Sequence, residues 1–189
     1  TSAPYNSAET WEYDPAAPAG SRWTNIGKNL SLARGYIQVA AVGDIIYAMG
    51  GDTYTGSDLV PQIVSEYLDT NNLAAGWQMM DPLPIASGEG QGFAWMDKLY
   101  LVGGGDWSSR SALVEEYDLT TSKWNLKTAP LWFPRRNHGG FLVPLLSLDP
   151  EDALPSMWVV GGYSTGDSPP YSPAEYYRLP ILSIFLPVV

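Results

Sequence analysis

The sequence has no cysteine and a single histidine, His138. Disulfide bonds and thiolate chemistry are therefore excluded, and so are a metal site with several histidine ligands and a relay of two histidines. Cysteine usage gives no information about the redox compartment. The sequence predicts no metal site and no cofactor.

Basic residues are also scarce, because the 189 residues include 10 Lys and Arg against 20 Asp and Glu, for a formal net charge of -10. A nucleic-acid surface needs clustered basic side chains, and an anionic membrane attracts the same charge, so both partners are disfavoured. The apolar tail, residues 179–189, is too short and too often broken by proline to span a membrane. We expect it to pack as a closing strand; the alternatives are a strand donated to another chain and a sorting tail.

Long amphipathic helical patterns are missing, whereas turn-forming and aromatic residues are abundant. The 19 Gly, 16 Pro, 8 Trp and 12 Tyr predict an all-β protein with many turns. The first residue is Thr1, with no apolar signal segment before it, as in a mature secreted protein or an excised fragment. Few charges and many Tyr, Trp, Ser, Thr and Gly favour an extracellular or cell-envelope location.

Three sequence features recur in the same order at intervals of about 50 residues. They are an apolar run that ends in a Gly pair, a Glu-Tyr pair, and a lone Trp a little downstream. The Gly pairs begin at Gly50, Gly103 and Gly161, the Glu-Tyr pairs at Glu12, Glu66, Glu116 and Glu175, and the tryptophans are Trp23, Trp77 and Trp124. A repeat of this length is typical of propeller blades.

The segment from Asp97 to Trp124 carries all three features: a turn, an apolar strand ending in Gly-Gly, a Glu-Tyr-Asp strand end, and a Trp strand. In this it resembles the kelch-repeat family of β-propellers, and the resemblance extends over roughly residues 9–178. It implies four-stranded antiparallel blades arranged around an axis. It implies little about function, because propellers carry unrelated activities.

The repeats divide the chain into a series of blades. The predicted units are an N-terminal arm (1–8), a half blade (9–34), two blades (35–87 and 88–133), a partial blade (134–178) with an insertion at 144–156, and the tail (179–189). This amounts to about three and a half blades, whereas propellers typically close with four to eight. The chain is therefore expected to be part of a larger propeller, to be completed by another chain, or to form a small irregular ring of four blades.

A candidate binding surface follows from strand alternation, which brings the loops between strands two and three and those between blades to the same end. Four of the six arginines fall there, interleaved with two aromatic residues. The predicted contact residues are Arg34, Arg110, Arg135, Arg136, Trp107 and Tyr54. Guanidinium groups beside aromatic rings suit the carboxylates of peptides or acidic sugars. The alternative is that these arginines only pair with Glu89, Asp106 and Asp52 in neighbouring loops.

The sequence predicts a non-catalytic binding or assembly module with a protein partner or an acidic peptide or sugar ligand, acting as a homo-oligomer or in a larger complex. The alternative is an enzyme on acidic sugars, as the resemblance to sialic-acid-epimerising kelch propellers implies. That enzyme needs a general base beside the arginines, for which Glu89 and His138 are the candidates. His138 is otherwise a buried hydrogen-bonding residue. A third possibility is a purely structural component of an extracellular or envelope complex.

Overall fold

The computed structural model describes residues 6–106, 108–126, 128–143, 155–164 and 173–179. Within these ranges the chain consists of short strands joined by turns, with one short 3-10 segment at Thr70–Ala75. The strands are β1 (Trp11–Tyr13), β2 (Trp23–Asn25), β3 (Gln38–Val42), β4 (Ile45–Met49), β5 (Asp52–Tyr54), β6 (Leu59–Pro61), β7 (Ser65–Asp69), β8 (Gln78–Met79), β9 (Gln91–Trp95), β10 (Lys98–Val102), β11 (Val114–Asp118), β12 (Lys123–Asn125), β13 (Gly139–Val143), β14 (Ser156–Val160) and β15 (Ala174–Arg178).

The strands form separate antiparallel sheets that follow one another along the chain. Two sheets have four strands, in the orders β3-β4-β7-β8 and β9-β10-β11-β12, and we name them the first and second blades. The third blade has the order β13-β14-β15, and β1 pairs with β2 in a hairpin that precedes the first blade. The hairpin β5-β6 extends from the first blade. This confirms the predicted all-β fold with four-stranded antiparallel blades.

The second blade is buried on both faces, as its apolar central strand requires. In β10, Leu99 and Leu101 pack towards the first blade, whereas Tyr100 and Val102 pack towards Met157 of the third blade. All five side chains are no more than 2% exposed. Each contributes roughly 1.5–3 kcal/mol by leaving water. A strand that is buried on both faces has consecutive apolar residues instead of alternating polar and apolar ones. Residues 99–102 of β10 have this pattern.

The innermost strands of adjacent blades pack against each other through glycine. A Cβ atom built on Gly92 of β9 would lie 2.5 Å from the Val39 carbonyl oxygen of β3. The two backbones can approach this closely only because no side chain is present. Gly92 therefore determines how closely the first and second blades approach each other.

The strand registers correct one part of the repeat alignment. Glu66 pairs with Ala48, Glu115 with Leu101 and Glu175 with Val159, in each case two residues before the first glycine of the pair. Glu115, and not the predicted Glu116, is therefore the equivalent of Glu66 and Glu175. The shift matters because consecutive residues of a strand face opposite sides of the sheet.

The third blade has an exposed aromatic face. The rings of Phe141, Trp158 and Tyr176 stack across its three strands, with centroids 6.1 Å apart for the first two and 4.8 Å apart for the second two. Phe141 is 49% exposed and Tyr176 is 52% exposed. In the second blade, Phe93 and Tyr100 occupy the positions of Phe141 and Trp158 and are buried against the third blade.

Candidate functional site

Arg34 lies inside the first blade and is not part of an exposed rim. Its Nη1 is 3.1 Å from Glu66 Oε1, and both side chains are fully buried. Its Nε donates to the Gly50 carbonyl at 2.7 Å and its Nη1 to the Leu32 carbonyl at 3.1 Å. A buried guanidinium needs this full set of acceptors, since an unpaired charge is costly away from water.

Arg135 repeats this arrangement in the third blade. Its side chain is fully buried and forms an ion pair with Glu175. Its Nη1 also donates to the Gly161 carbonyl at 3.0 Å and to the Pro173 carbonyl at 2.9 Å. The arginine before the innermost strand and the glutamate of the third strand thus pair within one blade.

Arg136 connects the third blade to the turn before β9. Its Nη1 donates to Glu89 Oε2 at 2.6 Å, and both side chains are at most 2% exposed. Asn137 Nδ2 donates to the same carboxylate oxygen at 3.1 Å. The guanidinium also lies 5.4 Å from the centre of the Tyr163 ring. Among the pairings considered from the sequence, that of Arg136 with Glu89 is present in the structure.

His138 is buried beneath these groups. Burial, followed by the positive charge of Arg135, lowers the pKa of His138 to about 4, and only the Val102 backbone opposes this shift. The imidazole is therefore neutral at physiological pH. Its ring packs where a side chain on Gly103 would lie, with Cε1 2.7 Å from the Cβ position.

The remaining predicted contact residues lie near the surface or outside the described residues. Tyr54 is half-buried, and its hydroxyl donates to the Gly56 carbonyl at 2.6 Å. Arg110 is half-buried, and its Nη1 donates to the Ser108 carbonyl at 3.2 Å. Trp107 lies outside the residues that the structure describes. Three of the four predicted arginines, Arg34, Arg135 and Arg136, are thus buried and paired with carboxylates, whereas Arg110 is half-buried.

The structure reveals a surface cavity that sequence reasoning missed. Its volume is about 430 Å³, and it is lined by the β5-β6 hairpin on one side and by Asp106 and Ser108 on the other. The residues that line it, here named the loop face, are Tyr54, Ser57, Asp58, Leu59, Asp106 and Ser108. It brings together two carboxylates, two hydroxyls of serine and one aromatic ring.

A second missed group is Glu115, which has the position of Glu66 and Glu175, although its blade has no arginine at the position of Arg34 and Arg135. It is 4% exposed, and its Oε1 has no hydrogen-bond partner among the described residues. Burial raises the pKa of Glu115 to about 7. The sequence contains a sign of this difference, because Ser87 occupies the position at which the other two blades have Arg34 and Arg135. The missing arginine can be recognised only with the strand register that aligns Glu115 with Glu66 and Glu175.

Asp52 is a further buried carboxyl group. It is fully buried, and neither carboxylate oxygen has a hydrogen-bond partner in the described part of the chain. Burial raises the pKa of Asp52 to about 7, with smaller contributions from the negative charges of Glu89 and Asp106 and an opposing one from Arg136. Asp52 therefore belongs to the interior charge network and not to a pair with a surface arginine.

Across residues 6–106 and the later described segments, no three Asp, Glu or His side chains are grouped as metal ligands would be. In the same part of the chain, no helix has the length and apolar character needed to cross a membrane.

The comparison with known protein families agrees with the fold. Residues 97–128 match the family model of the Kelch motif. This range includes β10, β11 and β12 of the second blade. A search of curated proteins gives no match. Kelch motifs generally occur in modules that bind proteins. The match confirms that the second blade carries a kelch repeat, as the resemblance of the sequence implied.

Proposed function

We propose that this chain is a non-catalytic protein-binding module and that the loop face is its contact surface. The observation that carries the proposal is the cavity of about 430 Å³ that the β5-β6 hairpin forms with Asp106 and Ser108. Two neighbouring blades contribute to it, so its shape depends on the assembled propeller. Loops held by a rigid scaffold are where binding residues concentrate.

The charge of the loop face favours a basic partner. Asp58 is exposed, and Asp106 is half-buried. Burial alone would raise the pKa of Asp106, but hydrogen bonds from Ser108 and Ser109 lower it below the usual value, so the carboxylate stays ionised. The net charge of -10 has the same sign. Complementary charge increases the rate and specificity of association, so we infer a partner surface rich in Arg or Lys.

The interior position of the candidate general bases supports binding over the enzymatic alternative. Glu89 already accepts hydrogen bonds from Arg136 and Asn137. His138 is neutral but 3% exposed. A general base has to reach the proton that it removes, and neither group has such access here. A module for protein recognition needs no such group.

Peptide selection tests the proposal. A displayed random-peptide library is selected on the wild-type protein, and the enriched peptides are measured against the variant Tyr54→Ala/Asp58→Asn. The matched control is Asn72→Ala/Thr121→Ala, which changes exposed residues at the other end of the blades. We expect enriched basic peptides that bind the control like wild type and lose at least about tenfold in affinity for the loop-face variant. Equal binding to both variants, or no enrichment, would overturn the proposal.

A location outside the cell or in its envelope, and completion of the ring by another chain, stay predictions. The acidic peptide or sugar ligand that the sequence predicts requires arginine side chains that are exposed to solvent. Because Arg34, Arg135 and Arg136 are paired with carboxylates, the loop face supports the opposite charge preference in its partner.

A further inference from the structure

The three blades have one shared position before the innermost strand, and it differs in the second blade. Backbone bridges link Gly35 to Asp52, Gly88 to Gly105, and Arg136 to Tyr163 in the same way. The residues immediately before Gly35, Gly88 and Arg136 are Arg34, Ser87 and Arg135. The first and third blades therefore place an arginine opposite their glutamate, and the second blade places a serine there.

This substitution leaves a cavity where the other blades have a guanidinium. The cavity is about 150 Å³ in volume, and Ser87, Glu115, Ile85, Leu113, Asp106 and Arg110 are among the residues that line it. Glu115 Oε1 is buried in it and has no hydrogen-bond partner among the described residues. The Ser87 hydroxyl does not replace the arginine, because it lies near Gln38 Nε2 at 3.4 Å and the Gly105 amide at 3.3 Å instead.

We propose that this cavity binds the guanidinium group of an arginine side chain supplied by a protein partner. The inference rests on the proposed binding function and specifies the chemistry of the partner. Asp106 lines both this cavity and the loop-face cavity, so a peptide on the loop face lies next to this cavity. Ile85, which lines the cavity, is 45% exposed, so the cavity lies close to the protein surface.

The blade geometry selects arginine over lysine. In the first blade, the Arg34 fork donates to the Gly50 and Leu32 carbonyls and to the Glu66 carboxylate. The equivalent positions in the second blade are Gly103, Ile85 and Glu115, by strand register and distance from the Gly pair. A planar guanidinium meets several acceptors at fixed angles, whereas an ammonium group is a single point charge.

The first arm of the test uses a small probe. N-acetyl-arginine amide is titrated into the ¹⁵N-labelled protein, with N-acetyl-lysine amide and N-acetyl-citrulline amide as comparisons. We expect saturable shifts of the amides at residues 85–88, 105 and 113–115 with the arginine probe, at least tenfold weaker binding of the lysine probe, and no binding of the uncharged citrulline probe. Glu115→Gln is expected to weaken the arginine probe at least tenfold. Equal responses to all three probes, or an unchanged affinity in Glu115→Gln, would overturn the inference.

The second arm fills the cavity from within. Ser87→Arg is expected to re-create the pair seen in the other two blades, to raise the melting temperature and to abolish binding of the arginine probe. Combining Ser87→Arg with Glu115→Gln should remove the gain in melting temperature. A Ser87→Arg protein no more stable than wild type, or one that still binds the probe, counts against the inference.

Failure of this inference is distinguishable from failure of the proposed function. If selected peptides bind the loop face but have no arginine preference and bind Glu115→Gln normally, only the inference fails. If the arginine probe binds but selection on the loop face gives no peptides, the proposed function fails and the cavity is a guanidinium site without the inferred partner.

Discussion

The Arg34 guanidinium lies 3.1 Å from the Glu66 carboxylate, and neither side chain is exposed to solvent. The same pair recurs between Arg135 and Glu175. Each pair links the segment before an innermost strand to the third strand of its blade. Arg34 and Arg135, which the sequence suggests as ligand contacts, thus form buried ion pairs within their blades.

The first prediction concerns the cost of breaking this pair. Arg34→Met should lower the free energy of unfolding by about 3–5 kcal/mol, because it leaves the Glu66 carboxylate buried without its main partner. Urea denaturation measures the change. Arg22→Met, at an exposed arginine, is the matched control and should cost less than about 1 kcal/mol. If both variants cost the same, the buried pair does not stabilise the blade. The double variant Arg34→Met/Glu66→Leu should recover much of the loss.

The second prediction concerns pH. Because the pKa of Glu115 is raised from 4.5 to about 7, the folded state binds a proton that the unfolded state releases between these values. The free energy of unfolding should therefore fall as pH rises through this window. Asp52, with its pKa raised to about 7, acts in the same direction.

Glu115→Gln should remove its share of this slope and stabilise the protein at pH 8 by about 1–3 kcal/mol. Asp106 and Arg110 line the same cavity as Glu115. The variants Asp106→Asn and Arg110→Gln therefore measure how far these two charges contribute to the pH dependence of the free energy of unfolding. Denaturation curves at pH 5 and pH 8 measure the slope. A slope unchanged in Glu115→Gln would contradict the prediction.

The third prediction concerns the contact between innermost strands. Gly92→Ala should destabilise the protein by about 1–3 kcal/mol, because the new methyl group would lie 2.5 Å from the Val39 carbonyl oxygen. Gly139→Ala is the matched control, since its nearest neighbour atom is 3.8 Å away. Thermal unfolding of the two variants should differ clearly. Equal melting temperatures would show that the inter-blade contact can relax.

The fourth prediction tests the enzymatic alternative. N-acetylneuraminic acid should show no faster exchange between its anomers with the protein than in buffer, because Glu89 is held by Arg136 and His138 is buried. Proton NMR follows both anomers directly. An acceleration that disappears in Glu89→Gln would instead support an enzyme.

The fifth prediction concerns the aromatic face of the third blade. Its equivalent in the second blade is covered by another blade, so we expect the exposed rings to promote association with a blade of a second copy. Light scattering should give a mass above 20.6 kDa at high protein concentration, and Phe141→Ser/Tyr176→Ser should lower it. Met79→Ser, at a 60% exposed residue elsewhere, should have no effect. A wild-type monomer at every concentration contradicts the prediction.

Strand order and blade type were predictable because they depend on local pattern. The apolar run Leu99–Val102 before a Gly pair forms a strand buried on both faces, and the Glu-Tyr and Trp segments that follow it form the next two strands, β11 and β12, of the same blade. The alignment of the third strands was wrong in the second blade, where the sequence analysis matched Glu116 with Glu66. Glu115 and Glu116 are adjacent, and only the pairing of Leu101 with Glu115 identifies the residue equivalent to Glu66.

The amino-acid sequence by itself determined the repeated strand unit, since the period of its glycine pairs and aromatic residues reflects backbone pairing within each blade. Tertiary structure decided the direction of the charged side chains. Arg34 and Arg135 have the same chemistry whether they face solvent or a carboxylate, and the choice depends on distances between strands far apart in the chain. For the same reason, the presence of Ser87 where the other blades have an arginine creates a cavity beside Glu115 only in the folded blade.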